Sequence, residues 1–147
     1  MFKHILVPTD GSELSSATAK RAVDYAQETG ARITAFYAKP EYRIAYFGEG
    51  ALIDSTTPAT FAEMAEKQAA EVLGKVAAWC KEAGVPCDTR STTSDLPYEA
   101  IINAATDAGC DMIFMASHGR RGITGLLLGS ETNKVLTHSK IPVLVYR

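Results

Sequence analysis

Apolar residues follow two periods along this chain, and the switches between them outline the elements. Ile5-Leu6-Val7 is a short continuous apolar run, the pattern of a strand covered on both faces. Pro8-Thr9-Asp10-Gly11-Ser12 ends it with turn residues. From Glu13 the spacing lengthens. Leu14, Ala19, Ala22, Val23 and Ala26 recur every three to four positions, which predicts a helix that Gly30 stops. Residues 33–38 predict a second strand. Residues 39–57 are long and irregular, with Gly48 and Gly50 among Tyr42, Tyr46 and Phe47 and with Pro58 just beyond. A connection of that length suits a lid, an interaction surface or a loose excursion.

The second half repeats the theme. Thr60-x-x-Glu63 has capping-box spacing and predicts the start of a long helix. Its apolar face reads Met64, Val72, Leu73, Val76, Trp79 and Cys80, and Gly84 ends it. Residues 87–92 have few aliphatics, as an edge strand would. Pro97 suits the first turn of a helix over 98–107. Met112-Ile113-Phe114-Met115 is the most apolar strand and predicts the centre of a sheet. A glycine-rich loop follows over 116–130. Residues 132–139 predict a helix with Val135 and Leu136 inward, and Pro142-Val143-Leu144-Val145-Tyr146 a last strand.

Strand and helix thus alternate four times before a terminal strand. That order implies an α/β domain, a parallel open sheet with helices on both faces, and right-handed crossovers make it doubly wound. With 147 residues and neither an internal repeat nor a linker, one domain over 1–147 accounts for the chain.

Composition narrows the function classes. Hydrophobic residues at 46% and charged residues at 22% are ordinary for a soluble globular protein, so disorder and fibrous classes drop out. A formal net charge of -2 argues against a general nucleic-acid binder. No run of about 18 apolar residues is present, so no membrane span is expected. The N-terminus lacks a signal-peptide layout, and the cysteines are odd in number: Cys80, Cys87 and Cys110. Together these imply reduced thiols and a cytoplasmic location. No C-x-x-C pair occurs, and His4, His118 and His138 do not fall at zinc spacing, so the cysteines read as packing residues.

Ligands in open parallel sheets bind beyond the carboxyl ends of the strands, at the switch point. Two strand ends carry unusual sequences. One is Pro8-Thr9-Asp10-Gly11-Ser12; the other is Ala116-Ser117-His118-Gly119-Arg120-Arg121-Gly122. The second loop leads through Gly129-Ser130-Glu131-Thr132 into a helix. Glycine permits close backbone approach, and N–H groups at a helix start favour an anion. Ser130 suits either a phosphate contact or a plain N-cap. Neither a P-loop nor a dinucleotide fingerprint is present, since Gly119, Gly122 and Gly125 follow a late strand as G-x-x-G-x-x-G. His118 suits orientation of its loop through a ring hydrogen bond, and His138 suits a helix C-terminus.

Over its whole length the sequence resembles the universal stress protein family. The opening from Ile5 to Glu13 matches the family's start. Ala116-Ser117-His118-Gly119, nine residues, then Gly129-Ser130 follow the nucleotide-binding pattern G-x-x-G-x9-G-[ST], with Ala116 in place of the first glycine. Lys134-Val135-Leu136 and Ile141-Pro142-Val143-Leu144-Val145 match the terminal helix and strand. The resemblance implies a five-stranded Rossmann-like parallel sheet, of the adenine nucleotide alpha hydrolase type, in the order 3-2-1-4-5. It implies a homodimer through the last strand.

The resemblance also implies a crevice for ATP, alone or with Mg²⁺. Asp10 would contact the adenosine end, with Pro8 and Thr9 also in the binding site, and Ala38 would pack near the adenine. Met115, Ala116, Ser117, His118 and Gly119 would line ribose and phosphates. Gly129, Ser130 and Thr132 would hold phosphates at the helix start. Arg120, with Gly122 beside it, could add charge, as could Arg121, while Glu131 suits the helix dipole but repels phosphate if it faces inward. Three functions fit: an ATP-binding stress-response regulator, a dimeric interaction protein without nucleotide, and a slow ATPase. Asp10, His118 and Glu131 are the only candidates for catalysis, and they form no recognised catalytic pattern. Any output from one small domain would pass through the dimer or a protein partner.

Overall fold

A computed structural model describes residues 1–43, 46–47, 51–52, 57–120 and 127–147, with backbone pairing alone for 46–47 and 51–52. The elements in chain order are β1 (His4–Pro8), α1 (Glu13–Thr29), β2 (Arg32–Lys39), β3 (Tyr46–Phe47), β4 (Ala51–Leu52) and α2 (Pro58–Ala83). There follow β5 (Cys87–Thr93), α3 (Pro97–Ala108), β6 (Met112–Ala116), α4 (Ser130–His138) and β7 (Val143–Tyr146). Five strands form one parallel sheet in the order β5-β2-β1-β6-β7. Counted among themselves they run 3-2-1-4-5. β5 lies at the edge, as its scarcity of aliphatics suggests.

Side chains alternate across the sheet with period two. Ile5 and Val7, Ile33 and Ala35, and Met112 and Phe114 join α1 and α2 in one apolar cluster. Leu6, Phe36, Ile113 and Met115 point the other way, into a second cluster with α3 and α4. Ile5, Leu6, Val7, Ile33, Phe36 and Ile113 are fully buried. Each such side chain contributes about 1.5–3 kcal/mol relative to leaving it in water. Continuous apolar runs are therefore what a sheet covered on both faces demands.

Helix ends follow local chemistry. Ser12 caps α1, its Oγ accepting the Ser15 N–H at 3.2 Å. Gly30 and Gly84 take left-handed φ values of 72° and 71° at the ends of α1 and α2. The expected capping box at Thr60 is displaced by one turn. Thr57 is the N-cap, accepting the Thr60 N–H at 3.1 Å, and Pro58, which has no N–H to satisfy, takes the first helical position.

Three further expectations change. Met64 is 62% exposed, because α2 buries no residue before Ala69. Leu136 is 41% exposed, because α4 faces inward at Thr132 and Val135 and the next residue rotates about 100° away. The stretch read as irregular contains a short antiparallel pair, β3 with β4; residues 44–45, 48–50 and 53–56 of the lid reading lie outside the described residues. Among the described residues, no helix is long and apolar enough to cross a membrane.

Candidate functional site

The direction of the strand order reverses between β1 and β6, which are direct neighbours. The two unusual loops therefore leave adjacent strand ends. One hydrogen-bonded carboxylate joins them. Asp10 Oδ1 accepts the Ser12 N–H at 2.9 Å, and Oδ2 accepts the Arg120 N–H at 2.8 Å. Burial alone pushes the Asp10 carboxyl up, but hydrogen bonds from Ser12, Arg120 and Ser15 outweigh it and hold the group below the usual carboxylate range.

Gly119 fits this joint. A Cβ there would run into Asp10 Oδ2 and lie 3.3 Å from Asp10 Cγ. Its smallness thus makes room for the carboxylate. Gly11 answers to two constraints, a φ of 79° and the press of α2, since a Cβ would lie 2.8 Å from Val72 Cγ2. Beneath the joint, Thr9 is buried and its Oγ1 lies 2.9 Å from Ser15 Oγ. Pro8 ends β1 in the buried layer.

The second loop is pinned to the sheet and to α4. Ser117 N–H donates to Tyr146 C=O at 2.8 Å, and Gly129 N–H donates to Ser117 C=O at 2.7 Å. Thr132 is buried, and its Oγ1 donates to Ala116 C=O at 2.9 Å. Replacing Thr132 with valine keeps the shape but strands that carbonyl, so it should cost about 1–3 kcal/mol. Urea unfolding checks this; an unchanged midpoint would contradict it.

Ala116 ends β6, paired with Tyr146, and no described non-glycine residue has positive φ, so the backbone there does not demand the family's glycine. Met115 is buried in the second cluster. The Ser117 Oγ lies 3.3 Å from His118 Nδ1.

Gly129, not Ser130, is the N-cap of α4, with φ −61° and no side-chain cap. The start of α4 therefore presents its first N–H groups without a capping side chain. Glu131 does not face them. Its Oε2 accepts the Tyr98 N–H at 2.9 Å, capping the start of α3, whose own N-cap, Leu96, offers no side-chain acceptor. Lys134 Nζ lies 3.4 Å from the other oxygen.

Arg120 is exposed and leans over Gly11: its Nη2 lies 3.0 Å from the position a Gly11 Cβ would take. It borders a cavity of about 200 Å³ shared with Thr9, Gln68, Val72 and Trp79. Sequence spacing did not tie α2 to the site. It did not point to Ser15 or Tyr37 either, although Ser15 follows a cap at hydrogen-bonding distance and Tyr37 precedes Ala38 in β2. The Tyr37 hydroxyl is pushed up by burial, with Arg120 and Asp10 close enough to act on it. Arg121 and Gly122 lie outside the described residues. Among those described, no cluster of three or more histidine, cysteine or acidic residues is placed to hold a metal.

Comparison with known proteins agrees with this architecture. A universal stress protein of Thermus aquaticus is 34% identical over 100% of both chains. One from Methanocaldococcus jannaschii is 31% identical over 100% of this chain and 83% of its own. Among solved structures, UspA from Lactobacillus plantarum matches with TM-score 0.77 and 25% identity over 99% and 97% of the two chains. A universal stress protein in complex with cAMP matches with TM-score 0.71 and 24% identity, over 99% and 97%. An Arabidopsis thaliana member with AMP bound matches with TM-score 0.62 and 18% identity, over 97% and 90%. The model of the universal stress protein family matches residues 1–147, and the chain belongs to that family.

Proposed function

We propose that this chain binds an adenine nucleotide, ATP in the first instance, at the carboxyl ends of β1 and β6, and acts as a regulatory protein rather than a self-contained enzyme. One observation carries the reading. The uncapped start of α4 stands beside a loop that Asp10 fastens across the switch point. Backbone N–H groups and the helix dipole attract phosphate there. The same fold is described with cAMP in one relative and with AMP in another.

The adenine end has a rationale in strand geometry. The β1–β2 ladder closes where Thr9 N–H donates to Phe36 C=O at 2.9 Å. Alternation turns Ala38 toward the same side, beyond the point where β1 ends. Its N–H and C=O would offer a donor and an acceptor to an adenine edge there. Pro8 and Thr9 form the floor, and Gly119, Gly129, Ser130 and Thr132 flank the phosphate path. Magnesium, if it accompanies ATP, would be carried chiefly by phosphate oxygens.

Asp10 and Glu131 both accept backbone N–H groups, which favours positioning over proton transfer. Mass spectrometry of protein purified without added ligand is the first test. Co-purified adenine nucleotide supports the reading; no nucleotide and no binding at millimolar ATP overturn it.

A homodimer through β7 completes the proposal. Among the described residues this strand pairs with β6 alone, and all four of its residues are half-buried. An open edge of that composition is a liability that pairing with a second copy removes. Sedimentation should give twice the chain mass at micromolar concentration, and a monomer would contradict it.

A further inference from the structure

Two of the three thiols, distant in motif terms, meet in space. Cys80 lies in the last turn of α2 and is fully buried; Cys87 opens β5 and is half-buried. Between them the chain folds back. Gly84 takes its left-handed turn, and Val85 N–H donates to Cys80 C=O at 2.8 Å. Val85 is buried in the apolar cluster that includes Cys80, and Cys87, two residues on and so on the same face, packs against that cluster. Packed on one cluster, the Cys80 and Cys87 sulfurs are close enough to act on each other, and the Cys87 Sγ lies 3.5 Å from Asp88 C=O.

We propose that Cys80 and Cys87 form a peroxide-sensitive dithiol that closes to an intramolecular disulfide, clamping the end of α2 to the start of β5. This is the amino end of the sheet, opposite the nucleotide crevice, and the proposal does not rest on nucleotide binding. Cys87, the thiol within reach of solvent, reacts first. Its thiolate attacks one oxygen of hydrogen peroxide, the O–O bond breaks, and hydroxide leaves and takes a proton to become water. The Cys80 thiol then gives up its proton and its sulfur attacks the Cys87 sulfenic acid, expelling a second water. Two thiols and one hydrogen peroxide become one disulfide and two waters.

The surroundings suit these roles. The neighbouring Cys80 lowers the Cys87 thiol against the opposing effect of burial, whereas Cys87 and burial push Cys80 up. Cys110 is buried, and burial pushes its thiol up to about 11, so it should stay reduced.

The test uses the full chain. Reduced protein is treated with hydrogen peroxide, alkylated and digested with trypsin. The expected product links peptide 76–81 to peptide 82–90, two hydrogens lighter than their sum, and dithiothreitol separates the two. Cys110 should carry the alkyl label. In Cys80→Ser the linked species should vanish, and dimedone should trap Cys87 as its sulfenic acid. Full alkylation of all three cysteines, over-oxidation of Cys87 without linkage in the native protein, or a disulfide between two chains would each overturn the proposal.

Discussion

Gly129→Val should weaken ATP binding by about tenfold or more, the equivalent of about 1.4 kcal/mol, while leaving the domain folded. The reason is steric and local. A Cβ at this position would lie 3.1 Å from His118 Cα, 3.2 Å from His118 Cβ and 3.2 Å from Ser117 O. Two of those neighbours are backbone atoms, so a side-chain rotation cannot relieve the crowding. Valine adds two methyl groups beyond that Cβ. The bond from Gly129 N–H to Ser117 C=O, 2.7 Å long, must stretch, and the helix start must move away from the loop. The core strands lie below this contact, and Gly129 is itself only half-buried. Calorimetric titration with ATP and a thermal melt separate the two effects. Unchanged affinity would count against the proposed phosphate path, and a lost melting transition would mean that Gly129 serves folding.

Asp10→Asn should both destabilise the chain near neutral pH and alter its acid limb. Two backbone N–H groups converge on the Asp10 carboxylate. An asparagine amide keeps one acceptor and turns an NH₂ toward the other donor. Bonds to a charged acceptor are worth about 1.5–3 kcal/mol each, so a loss of about 1–3 kcal/mol is expected. The sign with pH follows from the lowered carboxyl of Asp10. A group whose folded value lies below its unfolded value stabilises fully above the unfolded value, near 3.8 for this side chain. That contribution fades as pH falls through the folded value. The wild type and the variant should therefore differ at neutral pH and converge in strong acid. Asp111, also held low while accepting the Lys3 and His4 N–H groups, shapes the acid limb in both proteins and cancels in the difference. Urea midpoints across acid pH check this. A gap that is constant with pH would mean that the carboxylate charge contributes nothing.

Period changes carried most of the fold. Ile5-Leu6-Val7 and Met112 to Met115 are apolar without interruption because helices cover both faces of their strands, and the residues of α1 repeat at helical spacing because only one face is buried. What escaped depended on a neighbour rather than on local pattern. Met64 has the right spacing but lies on the turns of α2 that precede its buried stretch. Leu136 is apolar yet one position past the inward face. The β3–β4 pair is too short to show a period.

The candidate site divides the same way. The loops after β1 and β6 were visible as turn chemistry and glycine spacing, and the family resemblance supplied their adjacency. The Asp10 to Arg120 bond spans 110 positions, and no local rule marks it. The contact of Glu131 with Tyr98 joins two helices across 33 positions, so a carboxylate that spacing placed beside phosphate instead caps α3. The Cys80–Cys87 contact was hidden because it bridges a helix end and a strand start, outside any thiol motif.

The central claim, an adenine-nucleotide crevice between the β1 and β6 loops, is most directly tested by a crystal structure of the chain grown with ATP. Phosphate oxygens should meet the N–H groups at the start of α4, and the adenine edge should meet the backbone of Ala38. An empty crevice under saturating ATP, or nucleotide bound elsewhere on the surface, would contradict the account.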